Sequence, residues 1–147
     1  MRRDHFTLTA VTDEPEAGGE PTLVVTYDGP PGTLTERLLA ETGEAPAGDE
    51  LDAAFRLQTP AEDPEATGVF SLTRRLTGEY LLEGNADAES LLAVVDAARD
   101  NDDERYRIRI ERPSADPITY EKETLLVYDA DGSLLRHRSL IPSGVEL

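Results

Sequence analysis

The 147-residue chain contains no cysteine and no tryptophan, a single methionine, five tyrosines and three phenylalanines as its only aromatics and, among 14 basic residues, one lysine, Lys122. Without cysteine there is no disulfide framework, no thiolate metal site and no cysteine nucleophile, and the redox compartment leaves no mark. No stretch approaches the ~20 apolar residues that span a bilayer. The opening Met1-Arg2-Arg3-Asp4 leads into alternation, not into the apolar run of a signal peptide. A cytoplasmic protein that does not contact membrane is expected. High net charge with few aromatics is also a mark of disorder, but the apolar periodicity below is too regular for a disordered chain.

What the chain has in excess is acid: 31 aspartates and glutamates against 14 basic residues, for a net charge of −17. At low salt such self-repulsion opposes compaction, whereas at about 1 M salt the Debye length falls to ~3 Å and exposed carboxylates are screened from one another. Arginine, which supplies every basic residue except Lys122, binds carboxylate bidentately and is less strongly hydrated than an ammonium. These features predict adaptation to a salt-accumulating cell. The charge is uneven: residues 1–104 carry 7 basic and 24 acidic side chains, while residues 105–138 carry 7 and 6.

The length suits one domain able to bury about 68–70% of its unfolded surface. Residues 5–12 alternate as a strand, broken by the Pro, Gly and acid-rich segment 13–20, and residues 22–27 form a second strand that should pair with the first. Thr33 and Glu36 have capping-box spacing, Leu34 and Leu38 lie one turn apart, and Gly43 is placed to end a helix over 34–42. After the loop 43–50, residues 51–58 read as a third strand with Ala53, Phe55 and Leu57 inward. Residues 69–74 and 79–83 are either two strands or one bent strand around Thr77-Gly78. Residues 88–99 predict an amphipathic helix: Asp87 can cap it, Glu89 and Arg99 suit its dipole, and Leu91, Leu92, Val95 and Ala98 form one stripe. A strand over 105–112, a turn at 113–117 and a long hairpin of 118–128 with 134–141 complete the chain. The expected architecture is a single α+β domain over 1–147: a mainly antiparallel sheet of seven or eight strands with two helices, and a short tail, 142–147.

Few residues suggest chemistry. Asp129, Asp131 and Gly132 resemble the start of a calcium loop, but the glycine comes two places early and Leu140 stands where the closing glutamate belongs, so a hairpin turn is favoured. His5 and His137, the only histidines, could meet if the terminal strands are neighbours, yet two carboxylates would still be needed for zinc. No serine sits in a nucleophile elbow, and neither a Walker loop nor a dinucleotide fingerprint occurs. No catalytic residue, metal site or cofactor is therefore expected. Arg105, Arg107 and Arg109 fall on one face of a strand, and Arg136 and Arg138 on one face of another. Adjacent strands would assemble these five into an anion- or nucleic-acid-binding patch. Glu121 and Glu123 also share a face, and cross-strand Arg–Glu pairing is the favoured alternative. In the tail, Val145 and Leu147 are apolar where a solvated terminus would be polar, so docking on the domain or on a partner is expected of them.

The opening MRRDHFTL at 1–8, the block YEKETLLVYDADG at 120–132 and the ending SLIPSGVEL at 139–147 resemble a family of short haloarchaeal proteins of unknown function. The resemblance spans nearly the whole chain and implies a haloarchaeal cytoplasm, with no activity or ligand to transfer. Folded surface without a catalytic constellation makes a non-enzymatic protein-interaction or self-associating module the leading expectation, with anion or nucleic-acid binding through the arginines as the alternative.

Overall fold

The computed structural model describes residues 5–11, 21–30, 32–38, 50–60, 63, 65–100, 105–112 and 115–141. The N-terminal alternation forms β1 (Phe6–Val11) and β2 (Thr22–Tyr27), paired antiparallel from Phe6↔Tyr27 to Val11↔Thr22. Leu23, Val25 and Tyr27 point inward from β2 and are buried. The expected helix over 34–42 is described as a turn and a half, α1 (Thr33–Leu38), anchored by the buried Leu34. Residues 39–42 and Gly43 lie outside the described residues. One full helix remains where two were expected.

The next strands are β3 (Leu51–Leu57), β4 (Thr67–Arg74) and β5 (Tyr80–Asp87), joined antiparallel in chain order, so the segment around Gly78 is a true hairpin of two strands. Its register shifts between Leu72 and Thr73, and the adjacent Leu81 and Leu82 are consequently both buried. The full helix, α2 (Ala88–Arg99), starts where expected: the Asp87 carboxylate accepts from the Ser90 amide at 2.9 Å. Those two hydrogen-bonding interactions, with the Ser90 side chain and amide, hold the Asp87 carboxyl below the ordinary aspartate value. Leu91, Leu92, Val95 and Ala98 are buried, and so are Ala88 and Val94, because α2 packs against both β5 and the group β1, β2 and β6.

Beyond α2 come β6 (Tyr106–Arg112), β7 (Ala115–Lys122) and β8 (Leu126–Tyr128). The strands divide into sheet A, in the order β1-β2-β6-β7, and sheet B, in the order β5-β4-β3-β8. Each contains one parallel pair, β2 with β6 and β3 with β8. The strand number matches expectation, while the single, mainly antiparallel sheet is corrected to two mixed sheets. Alternation dictates which side of a strand is buried but is blind to its partner and direction. The inner faces and α2 share one apolar core, and the sole lysine spans it: Lys122 of β7 is buried and donates from Nζ to the Leu51 carbonyl of β3 at 2.7 Å. The sheets approach most closely where β1 meets β5. There a side chain on Gly84 would collide with Leu8 and Phe6, at 2.5 and 3.0 Å from an added Cβ.

The expected final hairpin is a second correction. β7 ends at Lys122, the chain crosses to sheet B, and residues 134–141 form no strand. They touch sheet B at two isolated bridges, Tyr128↔Leu134 and Leu125↔Leu140, separated by a 3-10 turn, Arg136–Arg138. Ser139 supplies what a strand would have: its Oγ accepts from the Val127 amide at 2.8 Å and donates to the Leu135 carbonyl at 2.8 Å. Before this segment, Asp129 closes the tight turn at Gly132 (φ +88°), its Oδ1 accepting from the amides of Asp131 and Ser133.

Candidate functional site

The arginine row on β6 lies on the outer face of sheet A. Register places Thr9, Val24, Arg109 and Thr119 in one row across the four strands, and Val11, Thr22, Arg107 and Glu121 in the next. Arg105 donates from Nε to Glu123 at 3.0 Å and stands 3.7 Å from Glu121; Arg107 is 3.6 Å from Glu121, and Arg109 is 3.8 Å from Glu111. Three guanidiniums thus face three carboxylates, and an anion reaching them must displace one. Pairs this exposed are worth ~0–1 kcal/mol each. Among the described residues the face carries no aromatic ring on which a base could stack.

Arg136 and Arg138 do not extend this row. They belong to the 3-10 turn, which packs beside β8 at the edge of sheet B, and the five arginines form no patch on adjacent strands. That turn is tied to α2 by Arg99, whose Nη2 donates to the carbonyls of His137 at 3.2 Å and Ser139 at 2.8 Å. The histidines are separated in the same way. His5 precedes β1 and meets the Tyr27 ring edge-on at 6.3 Å, while His137 is exposed on the turn after β8. Among the described residues no group of three or more histidines and acids is placed to hold a metal. Val145 and Leu147, expected to dock, lie outside the described residues.

Sequence reasoning overlooked the outer face of sheet B. Register aligns Tyr128, Arg56, Val69 and Asn85 in one row and Leu126, Ala54, Ser71 and Glu83 in the next. A groove of about 340 Å3 opens there, lined by Arg56, Val69, Ser71, Glu83, Tyr80 and Ala130 among others. Tyr80 is 50% exposed, and Leu76, at the tip of the same β4–β5 hairpin, is 97% exposed; they are the large apolar side chains left to solvent among the described residues. The signal was present in Leu76, an apolar residue directly before the Thr77-Gly78 turn, where polar residues are usual.

A second feature required the fold to become visible. At one end of the sandwich Tyr120 of β7 points inward, 6% exposed, and its hydroxyl is buried without a hydrogen-bond partner among the described residues. Burial raises its pKa, opposed by the charges of Arg74 and Arg112 and aided by Glu50. Tyr27 and Tyr106, by contrast, donate to the carbonyls of Pro30 at 2.8 Å and Thr124 at 2.9 Å.

Two mixed four-stranded sheets around one full helix define an α+β protein, and no described helix is long and apolar enough to cross a membrane. The model of the family of unknown function DUF5793 matches residues 1–147, and the chain belongs to that family. Comparison with curated proteins and with solved structures finds no match.

Proposed function

We propose that this protein is a non-enzymatic interaction module, adapted to the salt-rich cytoplasm of a haloarchaeal cell, that engages a protein partner or a second copy through the outer face of sheet B. The observation that carries the reading is the exposure of Leu76 and Tyr80 on one hairpin beside an open groove. Large apolar side chains grouped at the surface are more informative than the same residues scattered singly. Arg56, Ser71 and Glu83 supply polar contacts of both signs for orientation, as interfaces commonly do around an apolar centre. Salt adaptation is supported by the same charge balance and by the position of Lys122: since the only lysine is buried, no lysine ammonium is offered to solvent.

The test is solution mass by light scattering in about 2 M potassium chloride over a wide concentration range, for the wild type and for Leu76→Asp with Tyr80→Ser. Self-association lost in the double variant is expected if the partner is a second copy. If the wild type stays monomeric, a photo-crosslinking residue at position 80 should trap a partner in native-salt lysate, and Leu76→Asp should abolish the adduct. A monomer whose crosslinks are indifferent to Leu76→Asp refutes the proposal.

A further inference from the structure

We infer that the occupant of the outer face of sheet B is a second copy of this chain, with Arg56 of each copy set against Glu83 of the other. The inference rests on the reading of that face as the interaction surface, and it names the partner. The two middle rows of the face, from Tyr128 to Asn85 and from Leu126 to Glu83, hold one positive side chain, one negative one and no other charge. In a chain of net charge −17 that is a locally neutral area, where two copies approach with little repulsion. Arg56 is exposed and Glu83 half-buried, both line the groove, and no ion pair joins either to another described residue. On sheet A, by contrast, Arg105, Arg107 and Arg109 stand within 3.8 Å of carboxylates of their own copy.

Arg56 lies on β3 and Glu83 on β5 with β4 between them, so they are about 10 Å apart across the sheet and about 7 Å along it. The midpoint falls over β4, between Val69 and Ser71. A two-fold axis in the plane of contact, passing over that point and perpendicular to the line joining the two residues, exchanges their positions. Two Arg–Glu pairs then form at once, as an isologous contact requires. Ala54, Val69 and Ser71 are small enough to let the faces approach to the ~10 Å of stacked sheets, a gap that the two longer side chains bridge. Tyr80, the next outward residue from Glu83, is covered with them. A basic partner would answer Glu83 and repel Arg56, and an acidic partner the reverse; opposite charges in exchangeable positions complement a copy of themselves. Molar salt screens the repulsion between two bodies of charge −17, whereas pairs enclosed by the contact are screened less.

The experiment is sedimentation equilibrium in about 2 M potassium chloride on the wild type, Arg56→Glu, Glu83→Arg and an equimolar mixture of the two variants. The wild type should form a dimer. Each variant alone sets like charges opposite one another twice and should dissociate at least about tenfold more readily. The mixture should recover the wild-type dimer, because in a heterodimer every acid again faces an arginine. Both substitutions lie on the outer face and melting curves should show the variants folded, so loss of the dimer is not loss of the fold. Variants that dimerise as tightly as the wild type, or a mixture that stays monomeric, would show that these side chains do not meet. If Leu76→Asp with Tyr80→Ser then still breaks the dimer, the surface stands and only this pairing fails. A wild type monomeric at every concentration overturns the second copy as occupant, and the crosslinks from position 80 then decide separately whether the face binds a different protein.

Discussion

Replacing Ser139 with alanine tests how the C-terminal segment is attached. The residue is 3% exposed, so truncation removes one oxygen and leaves almost no cavity. It does break two hydrogen bonds, and their environments differ. Val127 is completely buried, so its amide has no access to water once the Ser139 oxygen is gone. An orphaned donor of this kind costs ~1–3 kcal/mol. Leu135 is half-buried, and its carbonyl can recover water, which limits that loss to the ~0.5–1.5 kcal/mol of an ordinary bond. The sum, about 3 kcal/mol, corresponds to a drop of about 6–12 °C in melting temperature for a domain near 150 residues. Melting should be measured in about 2 M potassium chloride beside Thr77→Ala. Thr77 makes one comparable bond, to the Glu79 amide at 3.2 Å, but does so in solvent and should cost no more than ~0.5 kcal/mol. Hydrogen exchange should show Val127 losing protection ahead of the sheet A strands. Equal, small shifts for both variants with Val127 still protected would refute the reasoning.

Gly84→Ala should destabilise by ~1–3 kcal/mol through overpacking against β1, and adding Leu8→Ala should recover part of that loss; additive losses in the double variant would count against the close approach. Asp87→Ala should cost ~1 kcal/mol at neutral pH through loss of the α2 cap. Because the folded carboxyl titrates below the ordinary aspartate value, its contribution is present above that value and fades as pH falls through the lower folded one, so wild-type and variant stabilities should converge on acidification. A gap independent of pH would show that the cap acts otherwise. Melting temperature should rise steadily from about 0.1 M to 2 M potassium chloride as screening shortens, and a flat profile would remove the case for salt adaptation.

Features set by neighbours in sequence were legible. The cap, stripe and last turn of α2 follow from Asp87, the four apolar residues and Arg99, all within 13 positions of one another. The strands were legible as strands for the same reason, but the β2–β6 and β3–β8 partnerships depend on contacts between distant segments. One clue was passed over. Inward residues are even-numbered through Ile118, Tyr120 and Lys122 and odd-numbered from Leu125 to Val127, so the phase slips at Glu123-Thr124, where the chain leaves one sheet for the other. A lysine in an inward slot obscured it. The candidate sites divide similarly. Arg105, Arg107 and Arg109 on one face could be read from alternation, whereas Arg136 and Arg138 were misplaced because Ser139 satisfies backbone groups that a strand would have paired. The groups that act on Tyr120 of β7 come from β4, β6 and the residue before β3, and no spacing within the chain announces them.

The parallel pairing of β2 with β6 has a consequence during synthesis. Thr22 waits for Arg107, roughly 85 residues later, with β3, β4, β5 and α2 made in between. At ~5–20 residues per second the ribosome takes about 4–17 s to supply the missing neighbour. Throughout that interval the inner edge of the β1–β2 hairpin is open, and an open edge is a template for pairing with another growing chain. The segment that must wait is also the one that carries the charge: residues 1–104 account for the whole net −17 of the protein, and the strand that closes the sheet belongs to the nearly neutral remainder. Acidic side chains are effective at keeping unfinished chains hydrated, so the uneven distribution of charge coincides with the order in which the chain becomes able to hide its edges.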